Sequence, residues 1–128
     1  MALYEGDKFN NTITGSLLDD DIYGRRGNDY LYGSSGNDRL YGGAGDDFLF
    51  GDDGDDILYG AKGNDMMEGG LGADQFMGGQ GIDTADYSNA TSGITVYFVN
   101  NTATGYALGD TFVNMNNLIG SAYADNLQ

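Results

Sequence analysis

A nine-residue repeat runs without insertion through the middle of the chain, from Gly24 to Asp86. Its seven copies read GRRGNDYLY, GSSGNDRLY, GGAGDDFLF, GDDGDDILY, GAKGNDMME, GGLGADQFM and GGQGIDTAD. Every copy has glycine at positions 1 and 4 and aspartate at position 6, and position 8 is apolar throughout. Two weaker copies, which start at Gly6 and Gly15, precede them. A short fixed period of this kind indicates a solenoid rather than a domain with one central core.

The chemistry of the repeat predicts a sharp turn followed by a short strand. Glycine at positions 1 and 4 allows backbone angles that other residues resist, so the first six residues can turn. Positions 7 to 9 then form a strand in which position 8 faces inward and its neighbours face outward. Two repeats complete a coil of 18 residues, and stacked coils produce two parallel sheets around the position-8 side chains. The predicted fold class is all-β, a parallel β-roll of the right-handed β-helix type.

Stacked coils place each position-6 aspartate above the one eighteen residues away, at roughly the 4.8 Å spacing of neighbouring strands. The aspartates then form two rows: Asp20, Asp38, Asp56 and Asp74 along one edge, and Asp29, Asp47, Asp65 and Asp83 along the other. Carboxylates this close cannot all stay ionised without a cation between them. Sites made only of oxygen donors suit Ca²⁺, whereas Mg²⁺ demands a stricter octahedral geometry. The sequence therefore predicts that these aspartates bind calcium.

The spacing of the aspartates also gives an expected ion count. About six Ca²⁺ ions, one for each pair separated by eighteen residues, would offset most of the formal net charge of −15. Bound ions would keep the carboxylates ionised and lower their pKa values, so acid should release the ions. The alternative is that the aspartates only solvate turns, but solvation requires no nine-residue period.

These residues resemble the repeats of the RTX, or haemolysin-type calcium-binding, family, whose nonapeptide is G-G-x-G-x-D-x-U-x. The resemblance covers residues 6–86 and departs from the pattern at position 2, where four copies have Arg25, Ser34, Asp52 and Ala61. It implies that turn carbonyls complete the calcium coordination, which assigns backbone ligands at Gly27, Gly36, Gly45, Gly54, Gly63 and Gly72. It also implies type I secretion from a bacterial cell, in which the chain crosses the export channel unfolded.

The composition excludes several classes of function. The chain has no Cys and no His, so it offers no disulfide, no Cys-based zinc site, no cysteine nucleophile and no histidine base. Five Lys and Arg against twenty Asp and Glu argue against nucleic acid as a partner. No apolar stretch approaches the roughly 20 residues of a membrane span, and MALYEGDKFNN lacks the features of a signal peptide. The regular acids are assigned to metal, so we predict that the chain is not an enzyme.

The outward positions of one sheet carry four aromatic side chains, from Tyr30, Tyr32, Phe48 and Phe50. Such a patch could stack sugar rings or contact a neighbouring domain. It could equally be covered by the C-terminal segment. Both interpretations remain open at the level of sequence. Ice binding is rejected, because position 3 varies from copy to copy and gives no regular flat surface.

The nine-residue period stops at Asp86, so the sequence divides into three parts. Residues 6–86 are the predicted roll, and residues 87–119 are predicted capping or connector strands, which the open end of a solenoid requires. Residues 120–128, GSAYADNLQ, align with GSLLDDDIY at 15–23 and read as the start of a further degenerate repeat. The C-terminal stretch is similar to connectors between RTX blocks in large secreted bacterial proteins, including alginate epimerases. We expect the chain to be one module of a longer protein.

The sequence thus predicts a calcium-binding β-roll that folds on Ca²⁺ binding outside the cell, as part of a secreted bacterial protein. Without ions, a glycine-rich chain at −15 cannot offset its conformational entropy. The alternatives are a carbohydrate-binding or adhesion module that uses the aromatic face, with a polysaccharide or an adjacent domain as partner, or a non-catalytic module attached to an extracellular enzyme such as an alginate epimerase.

Overall fold

The computed structural model describes all 128 residues and contains strands but no helix. The strands of the N-terminal part are β1 (Leu3–Glu5), β2 (Thr12–Thr14), β3 (Asp21–Arg26), β4 (Tyr30–Ser35), β5 (Arg39–Ala44) and β6 (Phe48–Asp53). The middle of the chain forms β7 (Ile57–Lys62), β8 (Met66–Leu71), β9 (Gln75–Gln80) and β10 (Thr84–Asp86). The C-terminal part forms β11 (Ile94–Tyr97), β12 (Thr102–Gly105), β13 (Thr111–Val113), β14 (Asn117–Ile119) and β15 (Asn126–Leu127).

Successive strands alternate between two parallel six-stranded sheets, which confirms the predicted β-solenoid. One sheet has the order β1-β3-β5-β7-β9-β13 and the other β14-β10-β8-β6-β4-β2. The register joins residues eighteen apart, for example Leu31 with Leu49 and Leu40 with Leu58. Two nonapeptides therefore make one coil, as the spacing predicts.

The core is a single column of side chains between the two sheets. Position 8 supplies it with residues whose exposed fraction is 0%: Ile22, Leu31, Leu40, Leu49, Leu58, Met67, Phe76 and Ala85. Each repeat adds only one large side chain to the core, so the hydrophobic effect per residue is small. The stability of the roll consequently depends on the interactions made by its turns.

The strands are longer than the sequence predicts. Each central strand has six residues, made of positions 7 to 9 and positions 1 to 3 of the next repeat, and only positions 4 to 6 turn. The residues at position 2 have positive φ angles, which bend the strand within its ladder: +80° at Arg25, +85° at Ser34, +72° at Asp52 and +81° at Ala61. The prediction of a six-residue turn was therefore wrong, because the bend at position 2 lets pairing continue past the glycine at position 1.

The roll continues beyond Asp86 after an insertion. Strand β13 pairs in parallel with β9, and β14 pairs in parallel with β10, so each sheet gains one strand. Residues 87–110 lie between β10 and β13 and contribute Tyr87 and Ile94 to the core at that end. Strands β11, β12 and β15 form a separate three-stranded sheet. No helix has the length and apolar character needed to cross a membrane.

Candidate metal centre

The aspartates at position 6 form two ladders along the inside of the turns. We call the row with Asp20, Asp38, Asp56 and Asp74 the first ladder, and the row with Asp29, Asp47, Asp65 and Asp83 the second ladder. All eight are 0% or 1% exposed. The sequence places them in two rows correctly, but it gives no sign that the carboxylates are buried.

Each ladder is held by hydrogen bonds between coils. The Oδ1 atom of each internal aspartate accepts a bond from the backbone N–H of the aspartate eighteen residues earlier, at N···O distances of 2.7 to 2.9 Å. Asp47, for example, accepts from Asp29 and donates its own N–H to Asp65. One carboxylate oxygen per aspartate therefore fixes the stacking of coils.

The second carboxylate oxygen has no partner in seven of these aspartates. The buried Oδ2 atoms without a hydrogen bond are those of Asp29, Asp38, Asp47, Asp56, Asp65, Asp74 and Asp83. An unpaired buried polar atom is costly, and an unpaired charge costs more. These oxygens therefore require either a proton or a cation.

Burial raises the pKa of most of these carboxyl groups, which measures how strongly the site disfavours uncompensated charge. The pKa rises to about 8 in Asp74, and to about 7 in Asp56 and Asp65. It rises to about 6 in Asp38 and Asp47. Desolvation is the largest cause in each case, the backbone hydrogen bond opposes it, and neighbouring carboxylates add to it.

The two repeat glycines serve different purposes. Position-1 glycines are buried and have no positive φ; a Cβ on Gly51 would overlap the Oδ2 atom of Asp56. Position-4 glycines have φ between +107° and +144°, and a Cβ on Gly45 would overlap the carbonyl oxygen of Gly27. Of these two glycines, the one at position 1 therefore makes room for the carboxylate, and the one at position 4 is needed for its left-handed backbone.

The six backbone ligands implied by the family resemblance lie at the turns. The carbonyl oxygens of Gly27, Gly36, Gly45, Gly54, Gly63 and Gly72 accept none of the hydrogen bonds of the structure. Five of the six N–H groups donate to the next coil; for example, Gly27 donates to Ala44, and Gly45 donates to Lys62. These carbonyls therefore have no hydrogen-bond partner, and most of them lie against the position-4 glycine of the next coil, as that of Gly27 does against Gly45.

Sequence reasoning missed a third and a fourth ladder, formed by position 5 on the outside of the turns. The Oδ1 atoms of Asn10, Asn28, Asp46 and Asn64 each accept from the backbone N–H of the residue eighteen positions later, and Asp19, Asn37 and Asp55 do the same on the other edge. The signal was present, since position 5 is Asn or Asp until Ala73 and Ile82 replace it. These side chains stabilise coil stacking and stay exposed.

Two further members of the inner ladders follow the insertion and were also missed. Asp110 accepts from the N–H of Asp74 at 2.8 Å, and Asn116 accepts from the N–H of Asp83 at 2.8 Å. Asp110 is 3% exposed, and burial raises its pKa to about 6. Asn116 follows no glycine at the repeat spacing, so the period gave no signal for it. Asp110 does follow Gly105 by five residues, as Asp29 follows Gly24, so the degenerate copy GYALGDTFV at 105–113 carried a signal that was overlooked.

The aromatic side chains of the sheet faces stack along the roll. Tyr30 lies on Phe48 and Tyr32 on Phe50, with ring centroids 4.7 and 4.8 Å apart. Tyr30 is 41% exposed and the other three rings are half-buried. The opposite sheet has a second stack, in which Tyr41 lies between Tyr23 and Tyr59. The C-terminal segment packs mainly at the end of the roll, where Phe112 stacks on Phe76, and it touches the edge of the aromatic face where Asn89 donates to Glu68, the register partner of Phe50.

The donor chemistry of the inner ladders fits a hard divalent cation. Every candidate donor is a carboxylate or backbone carbonyl oxygen, which suits Ca²⁺. No group of three acidic side chains converges on one point, so the ladders are linear arrays of carboxylates. An ion would therefore be held by one or two aspartates together with backbone oxygens.

A family model of the RTX calcium-binding nonapeptide repeat matches the chain in four overlapping copies, at residues 5–40, 14–49, 32–67 and 50–85. The chain belongs to the RTX calcium-binding repeat family. The RTX repeat is a calcium-binding module that is generally non-catalytic and is typical of secreted bacterial proteins. No curated protein and no solved structure matches the chain.

Proposed function

We propose that this RTX chain is a module that folds into its β-roll when calcium binds, outside the bacterial cell. The observation that carries this proposal is the set of seven buried Oδ2 atoms without hydrogen-bond partners. A bound Ca²⁺ ion would offset the negative charge of these oxygens, which no other group in the structure does. The ligands would be the seven aspartates, aided by the free carbonyl oxygens of the position-4 glycines.

The balance of forces supports coupling between ion binding and folding. Burying an ionised carboxylate without compensation costs several kcal/mol even after relaxation, so about seven such groups outweigh the few kcal/mol that stabilise a small domain. The formal charge of −15 adds self-repulsion at neutral pH. Ions that bind only the folded chain stabilise it by mass action. Extracellular calcium modules bind at about 10⁻⁴ to 10⁻³ M, which would keep this chain unfolded in a low-calcium cytosol.

Circular dichroism of the purified chain at pH 7.5 tests the proposal. In millimolar Ca²⁺ we expect a β-sheet spectrum, and in a chelator the spectrum of an unfolded chain. Mg²⁺ at the same concentration is the control and should restore little of the β-sheet signal, because its octahedral shell fits these donors poorly. Identical β-sheet spectra with and without Ca²⁺ would contradict the proposal.

A second candidate function is ligand binding by the aromatic face, and the accessibility of its rings favours it. Tyr30, Tyr32, Phe48 and Phe50 form a row of two stacked pairs, which suits the stacking of sugar rings in a polysaccharide or contact with an adjacent domain. Substituting Tyr30 and Tyr32 by Ala should abolish binding to a polysaccharide such as alginate while leaving calcium-dependent folding intact. Equal binding by the variant and the unchanged chain would exclude this face. Attachment to an enzyme such as an alginate epimerase stays a prediction from the C-terminal connector.

A further inference from the structure

The ends of both inner ladders differ from their middles. In the first ladder, Asp20 at one end is satisfied at both oxygens: Oδ1 accepts from the N–H of Ala2 at 2.6 Å, and Oδ2 accepts from the N–H and the hydroxyl of Ser16, both at 2.7 Å. At the other end, the Oδ2 atom of Asp110 accepts from the hydroxyl of Tyr87 at 2.5 Å. Neither terminal Oδ2 atom is among the unpartnered ones.

The second ladder ends on neutral amides instead. Its first member is Asn11, whose side chain contacts Asp7 and whose N–H donates to Asp29 at 2.6 Å. Its last member is Asn116, whose Oδ1 atom makes the same inter-coil bond that a carboxylate makes elsewhere, at 2.8 Å. An amide thus preserves the ladder hydrogen bond without bringing a charge.

We propose that these four ends are caps that close the ladders without a cation, so that calcium uptake is confined to the seven aspartates between them. Ser16 and Tyr87 act as positioning residues, because each supplies by its hydroxyl what an ion supplies in the middle of the ladder. Asn11 and Asn116 achieve the same by having no charge to compensate. This inference rests on the proposed function, and it removes Asp20 from the set of calcium ligands that the spacing predicts.

The local sequence explains why Ser16 bonds the carboxylate of its own turn, whereas Ser34 does not. Ser34 occupies the same repeat position as Ser16, but it has a φ of +85° and makes no hydrogen bond to Asp38, whose Oδ2 atom is unpartnered. The copy that contains Ser16 has Leu18 where the regular copies have glycine at position 4. Without that glycine the turn takes another path, and Ser16 faces the carboxylate.

The number of ions bound at saturation, counted by native mass spectrometry, tests directly whether Asp20 lies outside the calcium-binding set. Asp20→Asn should bind as many Ca²⁺ ions as the unchanged chain, whereas the matched variant Asp56→Asn, in the middle of the same ladder, should lose at least one. Loss of an ion in Asp20→Asn would overturn the proposal.

The calcium concentration at the folding midpoint tests the caps themselves. Removing a hydrogen bond to a carboxylate weakens the folding equilibrium about 10- to 100-fold, and with about five ions taken up the midpoint rises roughly 1.5- to 2.5-fold. We expect this rise in Ser16→Ala and Tyr87→Phe, and no rise in the matched controls Ser34→Ala and Tyr32→Phe. Unchanged midpoints in the two cap variants would overturn the proposal.

Double variants separate a cap from an ordinary structural contact. If Ser16 compensates the charge of Asp20, then Asp20→Asn in the Ser16→Ala background should return the midpoint close to that of the unchanged chain, and Asp110→Asn should do so for Tyr87→Phe. A double variant whose midpoint is as high as that of its single variant would show that the hydroxyl makes only a structural bond, and would overturn the proposal. The comparison holds even if a single variant fails to fold, because the double variant should then regain calcium-dependent folding. An unchanged chain that folds without calcium would instead refute the proposed function.

Discussion

At the scale of single residues, the turn is built by three positions with separate tasks. The position-6 carboxylate bonds the previous coil with one oxygen and leaves the other unpaired. The position-1 glycine makes room for it, and the position-4 glycine supplies the left-handed backbone. Substitutions at these positions should therefore have different consequences.

The glycines of one turn give a matched pair of variants. Gly45→Ala places a Cβ against the carbonyl of Gly27 at a φ of +136°, so the turn must distort. Gly43→Ala lies at position 2, where a Cβ would overlap the carbonyl of Arg25 at the present φ of +114°, but Ala61 shows that this position accommodates a Cβ when φ is +81°, so a local shift can relieve the overlap. We expect Gly45→Ala to destabilise the calcium-bound chain by more than about 2 kcal/mol, and Gly43→Ala by about 1 kcal/mol or less. Denaturant unfolding in saturating Ca²⁺ measures both, and equal losses would contradict this assignment of tasks.

The position of an aspartate within its ladder should set how many ions its loss removes. Asp47 has a carboxylate neighbour on each side, Asp29 and Asp65, whereas Asp83 has Asp65 on one side and the neutral Asn116 on the other. If neighbouring aspartates share an ion, Asp47→Ala should lose about two ions and Asp83→Ala about one. Calorimetric titration distinguishes the two, and equal losses would mean that ions are not shared between coils.

At the scale of elements, the sequence predicted the features that recur in every nonapeptide, and it predicted less where the nine-residue period is interrupted. The two sheets, the inward position 8 and the eighteen-residue register follow from alternation and coil length, and residues such as Leu49 confirm them. The strand ends did not follow, because position 2 is glycine in only three of the seven regular copies, so the positive φ at this position, +80° at Arg25, is only partly signalled by the sequence.

The return of the chain to the roll after the insertion was only partly predictable. Strands that continue or cap the open end were expected, since a bare end would leave Phe76 exposed. That Thr111–Val113 pairs with β9, thirty-six residues away in register, depends on tertiary packing of Phe112 against Phe76. Phe112 stands at position 8 of the degenerate copy GYALGDTFV, which predicts that it faces inward, but the coil that it joins is set by this contact.

The tyrosine stack on one sheet should stabilise neighbouring coils in proportion to its contacts. Tyr41 stacks on Tyr23 at 4.4 Å and on Tyr59 at 4.7 Å, whereas Tyr23 has one ring neighbour. Each stacked pair contributes about 0.5 to 1.5 kcal/mol beyond burial. We expect Tyr41→Ala to lower the free energy of unfolding by about twice as much as Tyr23→Ala in saturating Ca²⁺. Equal effects in denaturant unfolding would assign the stability to burial alone.

At the scale of the whole molecule, the roll is a one-dimensional stack whose coils contact only their neighbours. Its core is one side chain wide, so cooperativity must come from the ladders that cross every coil boundary. The outer ladders of position 5 are exposed and complete, whereas the inner ladders are buried and each internal member lacks one partner. Stability therefore depends on whatever occupies the inner ladders, either cations or protons.

Protons and calcium should consequently substitute for each other, and the pH dependence of folding tests this. Burial raises the folded-state pKa of Asp56 and Asp65 to about 7 and of Asp74 to about 8, against about 4 in an unfolded chain. A raised pKa gives stability that is fully present below the unfolded value and is lost as pH rises through the folded values. In a chelator, lowering the pH from 8 to 5 should therefore increase the β-sheet signal in circular dichroism.

In millimolar Ca²⁺ the signal should be present at both ends of that range, because the bound ions lower these pKa values again. Acidification also reduces the self-repulsion of the whole chain, so a control is needed for that effect. The double variant Asp56→Asn/Asp74→Asn lacks two of the buried carboxyl groups, and its folding in the chelator should depend less on pH. A chain that gains no β-structure on acidification without calcium would show that the buried carboxylates do not control the stability of the roll.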